Sequence, residues 1–282
     1  MVELFEQDIR ENDRQSSKGN QLKWQNGGVW YKADYTGYEG LAEYMISHLL
    51  LKSTLRREEF ALYDLEQIRY KSTVYNGVKS ADFVKDDWQI ITLERLFKNF
   101  FDESLYKAVY RITDYEERLR FLVNQVERIT GLAEFGVYMN KLLTIDALFL
   151  NEDRHMHNIA VLMNGEGEFA YCPVFDQGAG LLSDTTMDYP LGGDTVDYVR
   201  EAKARTFCDS FDDQLDISEK LYGGQLKFFF TKKDVKELLD AAVIYPGEVR
   251  KRVLDVIYLQ MEKYGYLFGR QVQDGENNRN HR

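Results

Sequence analysis

The sequence has 282 residues, 44% of them hydrophobic and 14% aromatic, which is enough to bury one large domain or two packed lobes. Its net charge of -11 argues against bulk attraction to nucleic acid or to an anionic membrane, so no direct nucleic-acid partner is expected. The two cysteines, Cys172 and Cys208, make neither a disulfide framework nor a metal spacing, and with no signal peptide and no long apolar run the chain reads as cytoplasmic, without a transmembrane segment.

A first strand is expected within residues 2–9, followed by a polar stretch. Residues 21–25 and 29–34 flank Asn26-Gly27-Gly28 and read as strand, turn, strand. The preceding Ser16-Ser17-Lys18-Gly19-Asn20 is a small, flexible loop of the kind that folds backbone N–H groups over phosphates. It is not a Walker loop, since the G-K-[ST] ending is missing. Lys32 lies mid-strand and by alternation shares a face with Trp30 and Asp34. There it is either solvated or a cation held over phosphates.

From Tyr38 the period becomes helical, with Leu41, Tyr44, Met45, His48 and Leu49 recurring on one face. Glu39 and Glu43 stand one turn apart on that helix, and either can reach a lysine on a neighbouring strand. His48 reads as a core or boundary residue. Strands are expected over 62–75 and 88–93, with Asn76-Gly77 as a hairpin turn. After Glu94 the pattern stays helical apart from one hairpin. The expected class is therefore α+β: a first lobe over 1–94 of antiparallel sheet and one helix, a mainly helical second lobe over 95–272, and a flexible tail over 273–282.

In the second lobe, helices are expected over 115–130 and 135–150, the latter strongly apolar. It delivers the chain to N-E-D-R-H-M-H-N, residues 151–158. Apolar runs at 159–163 and 170–175 then flank an Asn164-Gly165 turn, and F-D-Q-G follows at 175–178. Such a hairpin returns Asn158 and Asp176 to one point. An acid and an amide meeting there suit a hard divalent cation that also binds phosphate oxygens, and Asp153 faces the same point from its loop. The polar stretch 184–197 is expected to be mobile or to face substrate. Thr231 to Asp234 forms a capping box for a helix to Val243, and Pro246 precedes the last helix. The basic and aromatic run 227–233 reads as a buried segment with charged flanks rather than as a membrane contact.

This order resembles the protein-kinase-like fold: strands with a lysine, a helix with a glutamate, then a helical lobe carrying D-x-x-x-x-N and D-x-G. More narrowly, D-R-H-M-H-N and F-D-Q-G resemble the HipA-like serine/threonine kinases, and the D-R-H-x-x-N loop is also similar to that of phosphatidylinositol kinases. The resemblance implies a bilobal enzyme using ATP and Mg2+ to phosphorylate a hydroxyl, with protein Ser/Thr first and a lipid or small molecule second. A nucleotide-binding pseudokinase is the reading of another class. The resemblance implies that Asp176 and Asn158 bind metal, that Lys32, held by Glu39 in preference to Glu43, contacts the α- and β-phosphates, and that Asp153 orients the acceptor hydroxyl. His155 is the competing base and otherwise braces the loop, while Arg154 pairs with an acid or with substrate phosphate. Ser16, Ser17, Lys18 and Gly19, with Glu94 at the lobe junction, complete the nucleotide-contacting set. Ser16 and Ser17 are also autophosphorylation candidates by position. HipA proteins typically carry an extra N-terminal subdomain and pair with a DNA-binding antitoxin. The stretch before the first strands leaves little room for that subdomain, so the chain reads as a short, stand-alone member, with an antitoxin partner left open. Gln177 replaces the Phe of D-F-G, so an aromatic in/out switch is not expected.

Overall fold

The computed structural model describes residues 1–10 and 21–269; Ser16, Ser17, Lys18 and Gly19 lie outside them, as does the tail over 273–282. A five-stranded sheet opens the chain, built from β1 (Val2–Leu4), β2 (Lys23–Asn26), β3 (Val29–Ala33), β4 (Asp64–Tyr70) and β5 (Thr73–Ala81) in the order β1-β4-β5-β3-β2. Its pairings are antiparallel except β1 on β4. The turn between β2 and β3 is made by Gly27 and Gly28, both at positive φ, where a side chain would be strained.

The expected turn at Asn76-Gly77 is not one. Both residues lie inside β5, and the β4–β5 reversal falls at Lys71, which takes a left-handed φ of 54°. Packing outweighs the local turn signal here. A Cβ on Gly77 would run into the Lys32 carbonyl, and the same glycine lets Gly40, in the helix that follows β3, sit against the sheet. The Asn76 amide instead donates to the Ile244 carbonyl at 3.0 Å.

That helix, α1 (Glu39–Leu50), is apolar almost all round, as a helix covered on every side must be. It packs on β5 and also on α8 (Lys232–Ala241). Its buried Leu41, Met45 and Leu49 belong to one continuous core shared with the helical part of the chain. A smaller cluster of Leu4, Trp24, Ala33 and Ile68 fills the opposite face of the sheet.

A second sheet joins β6 (Trp88–Thr92) to the hairpin of β7 (Ala160–Asn164) and β8 (Phe169–Tyr171). Strand β6 therefore pairs with the hairpin of the second lobe rather than with the first sheet. The Thr92 hydroxyl caps α2 (Leu93–Phe101), which leads to α3 (Leu105–Tyr110), α4 (Tyr115–Thr130) and α5 (Phe135–Phe149). Within the polar stretch 184–197, Asp184 and Tyr189 are buried, and Asp194 caps α6 (Thr195–Glu201). Helices α7 (Phe211–Tyr222), α8 and α9 (Gly247–Lys263) complete the lobe. Phe228 and Phe230 are buried against Phe149 and Phe268, so the aromatic run at 227–233 is core with charged flanks. Among the described residues no helix is long and apolar enough to cross a membrane.

Asp34, just after β3, stitches the sheet to α1 and to the second lobe. Its residue keeps some exposed surface, but both carboxylate oxygens are enclosed: one accepts from the Gly40 N–H at 2.6 Å and the other from the Tyr245 hydroxyl at 2.8 Å. Burial pushes its pKa up to about 8; the Gly40 hydrogen bond opposes the rise and the Glu39 charge adds to it. The native state thus keeps a proton that the unfolded chain releases near the ordinary carboxyl pKa. The associated stability is complete below that pH and declines as pH rises to about 8. Asp34→Asn should remove this decline. In urea denaturation the variant should gain on wild type steadily between pH 4 and pH 8, and a difference independent of pH would count against a buried proton at Asp34.

Candidate active site

A two-residue turn fixes the β2–β3 register, and that register places Lys23 directly opposite Lys32. Two ammonium groups facing each other across a ladder repel unless anions lie between or beside them. Lys32 is buried, and its Nζ sits 2.6 Å from Glu43 Oε1 and 2.7 Å from Asp176 Oδ1, over the Tyr63 ring at 4.9 Å. Burial alone would lower its pKa, but Asp176, Glu43 and Tyr63 together raise it well above the ordinary lysine value.

The partner of Lys32 on α1 is Glu43, which corrects the expectation of Glu39. Glu39 is the first helical residue, beside the amides that precede α1, and its carboxylate turns back onto them. It accepts from the N–H groups of Tyr35, Thr36 and Gly37 and from the Thr36 hydroxyl. One turn later, Glu43 faces the sheet. Its second oxygen accepts the Gln177 N–H at 2.9 Å and so reaches the D-Q-G loop.

Below the sheet, α5 ends on Leu150 in a left-handed conformation, and the loop of residues 151–158 begins. Arg154 is buried and pairs with Asp146 of α5, Nε to Oδ2 at 3.0 Å. Of the two roles expected for Arg154, the structure shows the pairing with an acid. The same guanidinium donates from Nη1 to the carbonyls of Asn158 at 2.9 Å and Phe175 at 3.1 Å. One side chain thus brings the amide of the first motif beside the residue that precedes Asp176. Asn151 adds a second tie, donating to Asp146 at 3.1 Å and to Gln177 Oε1 at 3.0 Å.

Asn158 donates from Nδ2 to Asp153 Oδ2 at 3.0 Å and to the Asp153 carbonyl at 2.8 Å. Its nitrogen is therefore committed, leaving the amide oxygen as the group suited to a cation. Asp176 takes a φ of 60°, rare for a residue with a side chain and held here by its neighbours. Burial would raise its pKa, but Lys23 and Lys32 outweigh burial and hold the carboxyl far below the usual carboxylate range. Lys23 Nζ lies 3.9 Å from Asp176 Oδ1. Asp176 pulls the Lys23 pKa up, yet burial and Lys32 together bring it below the ordinary value; the charges of Glu43 and Asp153 also reach it.

Half-buried His155 lies 3.5 Å from Asp153 through Nε2, and its Nδ1 accepts the His157 N–H at 3.2 Å. Burial lowers its pKa more than Asp153 raises it, so the ring is neutral near pH 7. The structure thus brings Lys32, Asp176, Asn158, Asp153 and His155 together, and adds Lys23 and Glu43. Glu94 does not join them: its carboxylate accepts the Tyr106 N–H at 2.9 Å, in the first turn of α3.

A sheet lysine braced by a helix glutamate, above a loop with an acid and an amide and a following D-x-G, is the arrangement of a kinase-like fold. Among solved structures, the chain is similar to the proinflammatory kinase CtkA of Helicobacter pylori, with a TM-score of 0.60 at 13% identity over 93% of this chain and 95% of that one. The HipA of a Shewanella oneidensis toxin–antitoxin system, solved with HipB and its operator DNA, gives 0.43 at 10% identity over 92% of this chain and 63% of that one. No protein-family model matches the sequence, and no curated protein matches it. The CtkA likeness establishes the fold.

Removing one partner of the Asp146–Arg154 pair leaves a buried charge alone. Arg154→Met should therefore cost about 3–5 kcal/mol in urea denaturation. A loss below about 1 kcal/mol would mean that the guanidinium is not the clamp between the two loops.

Proposed function

We propose that the protein transfers the γ-phosphoryl group of ATP, with Mg2+, to a hydroxyl acceptor, and that the acceptor is a protein serine or threonine. The observation that carries this reading is the single charged cluster in which Lys32 and Lys23 of the sheet meet Asp176 and Glu43, beside Asn158 and Asp153. Phosphoryl transfer asks for neutralised charge and aligned atoms more than for covalent chemistry, and this cluster supplies both.

Asp176 and the Asn158 amide oxygen fit a hard cation that arrives with phosphates. Asp176 suits it because the two lysines keep it ionised at any working pH. The metal would neutralise charge on the phosphate oxygens. Lys32, held by Glu43, positions the α- and β-phosphates, and Lys23 adds a second ammonium on the same side. Asp153, fixed by Asn158, accepts a hydrogen bond from the incoming hydroxyl and orients it. Neutral His155 braces Asp153.

A lipid acceptor finds less support. The cations of the 227–233 run are engaged elsewhere: Lys227 with the Tyr266 carbonyl, Lys232 with Glu262, and Lys233 with Glu237. The complete set of Lys32, Asp153, Asn158 and Asp176 favours an enzyme over a pseudokinase.

Mg-ATP at a hundredfold excess over its Kd should stabilise the protein by about 2.7 kcal/mol, read as a rise in Tm. Asp176→Asn should lose the magnesium-dependent part of that rise, whereas Asp153→Asn should keep it and lose turnover. Turnover is read as label transfer from ATP to the protein itself or to a generic protein substrate. Glu43→Gln should reduce turnover more than Glu39→Gln. Nucleotide binding without turnover over long incubation would replace the enzyme reading by the pseudokinase one.

A further inference from the structure

We propose that Tyr189 is a positioning residue for the acceptor-orienting Asp153, and that it acts through the carboxylate of Glu152. The proposal rests on the kinase reading above and adds to that site two residues outside its charged cluster.

The backbone of Asp153 has little hold of its own, since its N–H reaches Asn151 Oδ1 only at 3.3 Å. Its place is set by its two chain neighbours. Arg154 is held by Asp146 and the two carbonyls, and its own carbonyl accepts the Thr206 hydroxyl at 2.7 Å. Glu152 is the other neighbour. It is buried, and nothing in the transfer chemistry uses it. A buried carboxylate must be met by donors. One of its oxygens accepts the Tyr189 hydroxyl at 2.7 Å and the other the Lys203 N–H at 2.9 Å. Both donors come from the stretch between the D-Q-G loop and α7, so Glu152 fastens the loop of Asp153 to that stretch.

Tyr189 is a firm point to fasten to. Its N–H donates to the Asp184 carbonyl at 2.8 Å, and its carbonyl accepts from Arg252 Nη1 of α9 at 3.3 Å. Arg252 is buried, and its Nη2 also donates to the carbonyls of Pro190 at 3.1 Å and Leu191 at 3.0 Å. The turn that carries Tyr189 is thereby anchored on the last long helix. The Tyr189 ring is buried edge-on to Tyr198, with centroids 5.3 Å apart. Burial, followed by the Glu152 charge, raises its hydroxyl pKa above the ordinary value, so it stays a donor. The nucleotide-facing groups Lys32, Glu43 and Asp176 are held by one another instead. Alignment of the acceptor can therefore be lost while nucleotide binding is kept, and a displacement of about 1 Å can cost on the order of a hundredfold in rate.

The test uses the full chain with Mg2+ and labelled ATP. Label transfer to the protein itself or to a generic protein substrate is read at saturating Mg-ATP, as a rate per Mg-ATP-binding site, so unfolded molecules do not count. Y189F should lower this rate about tenfold or more while the Kd for Mg-ATP stays within about twofold. E152M should do the same, and Y189F/E152M should be no slower than E152M, because both act by one route. E152Q should lose less than E152M, since its amide can accept the Lys203 N–H and donate to the Tyr189 oxygen. An unchanged rate per site in Y189F would overturn the proposal and leave Tyr189 a packing residue. So would a fall matched by weaker Mg-ATP binding, losses that multiply in the double variant, or E152Q as slow as E152M. These outcomes leave the kinase reading standing. Wild type that binds Mg-ATP without turnover would end that reading and this proposal together.

Discussion

A lysine ammonium cannot be buried without carboxylates to meet it, and Lys32 is buried between two. Desolvation of the three groups is opposed by their mutual attraction, which is strong only while the geometry is kept. The arrangement therefore binds three separate parts of the chain to one point: β3 through Lys32, α1 through Glu43, and the end of the hairpin through Asp176. Glu43 reinforces it by accepting the Gln177 N–H with its second oxygen. The charge balance also prepares the site for chemistry. With Lys23 added, two ammonium groups face two carboxylates, so Asp176 stays ionised despite its surroundings.

The lower half depends on a second buried pair, Asp146–Arg154, with a different task. Asp146 is delivered by a helix buried along most of its length, and nothing apolar nearby can satisfy it. Arg154 answers it with a forked guanidinium whose remaining N–H groups reach two carbonyls at once. One rigid group thus sets the spacing between the loop that holds Asn158 and the strand that leads to Asp176. A lysine could neutralise Asp146 but lacks the planar, pre-organised fork that meets the carboxylate and both carbonyls from one rigid group.

Much of this was legible in the sequence, for local reasons. Asn26-Gly27-Gly28 announces a tight reversal, and Asn164-Gly165 announces the hairpin that returns Asn158 and Asp176. The same rule carried one step further gives Lys23 opposite Lys32, and two facing lysines call for an anion between or beside them. That signal was present and was missed. The choice between Glu39 and Glu43 was not legible in the same way. Spacing puts both on one face, and only the position of α1 on the sheet leaves Glu39 among its own N-terminal amides and turns Glu43 inward. Asn76-Gly77 misled because a turn dipeptide can equally serve close packing: its glycine admits Gly40 against the sheet. Asp146 carried a faint signal as a lone acid in an apolar helix, but its partner lies beyond the helix end, where periodicity gives no guidance.

The two buried networks meet at Gln177. Its Oε1 accepts from Asn151, which also serves Asp146, and its backbone N–H serves Glu43, so this residue belongs to both the upper and the lower set. Its Nε2 is buried with no partner among the described residues, at a cost on the order of 1–3 kcal/mol. The side chain is thus held for its oxygen at the expense of its nitrogen. An aromatic ring at this place can exchange one apolar pocket for another at little cost, whereas a buried amide that moved would leave Asn151 unpaired as well. Helix α1 is similarly confined, packed on α8 as well as on the sheet. The two elements whose movement would separate Lys32 from Asp176 are therefore both tied down by interactions that are costly to break, and the charged cluster is a standing feature of the fold.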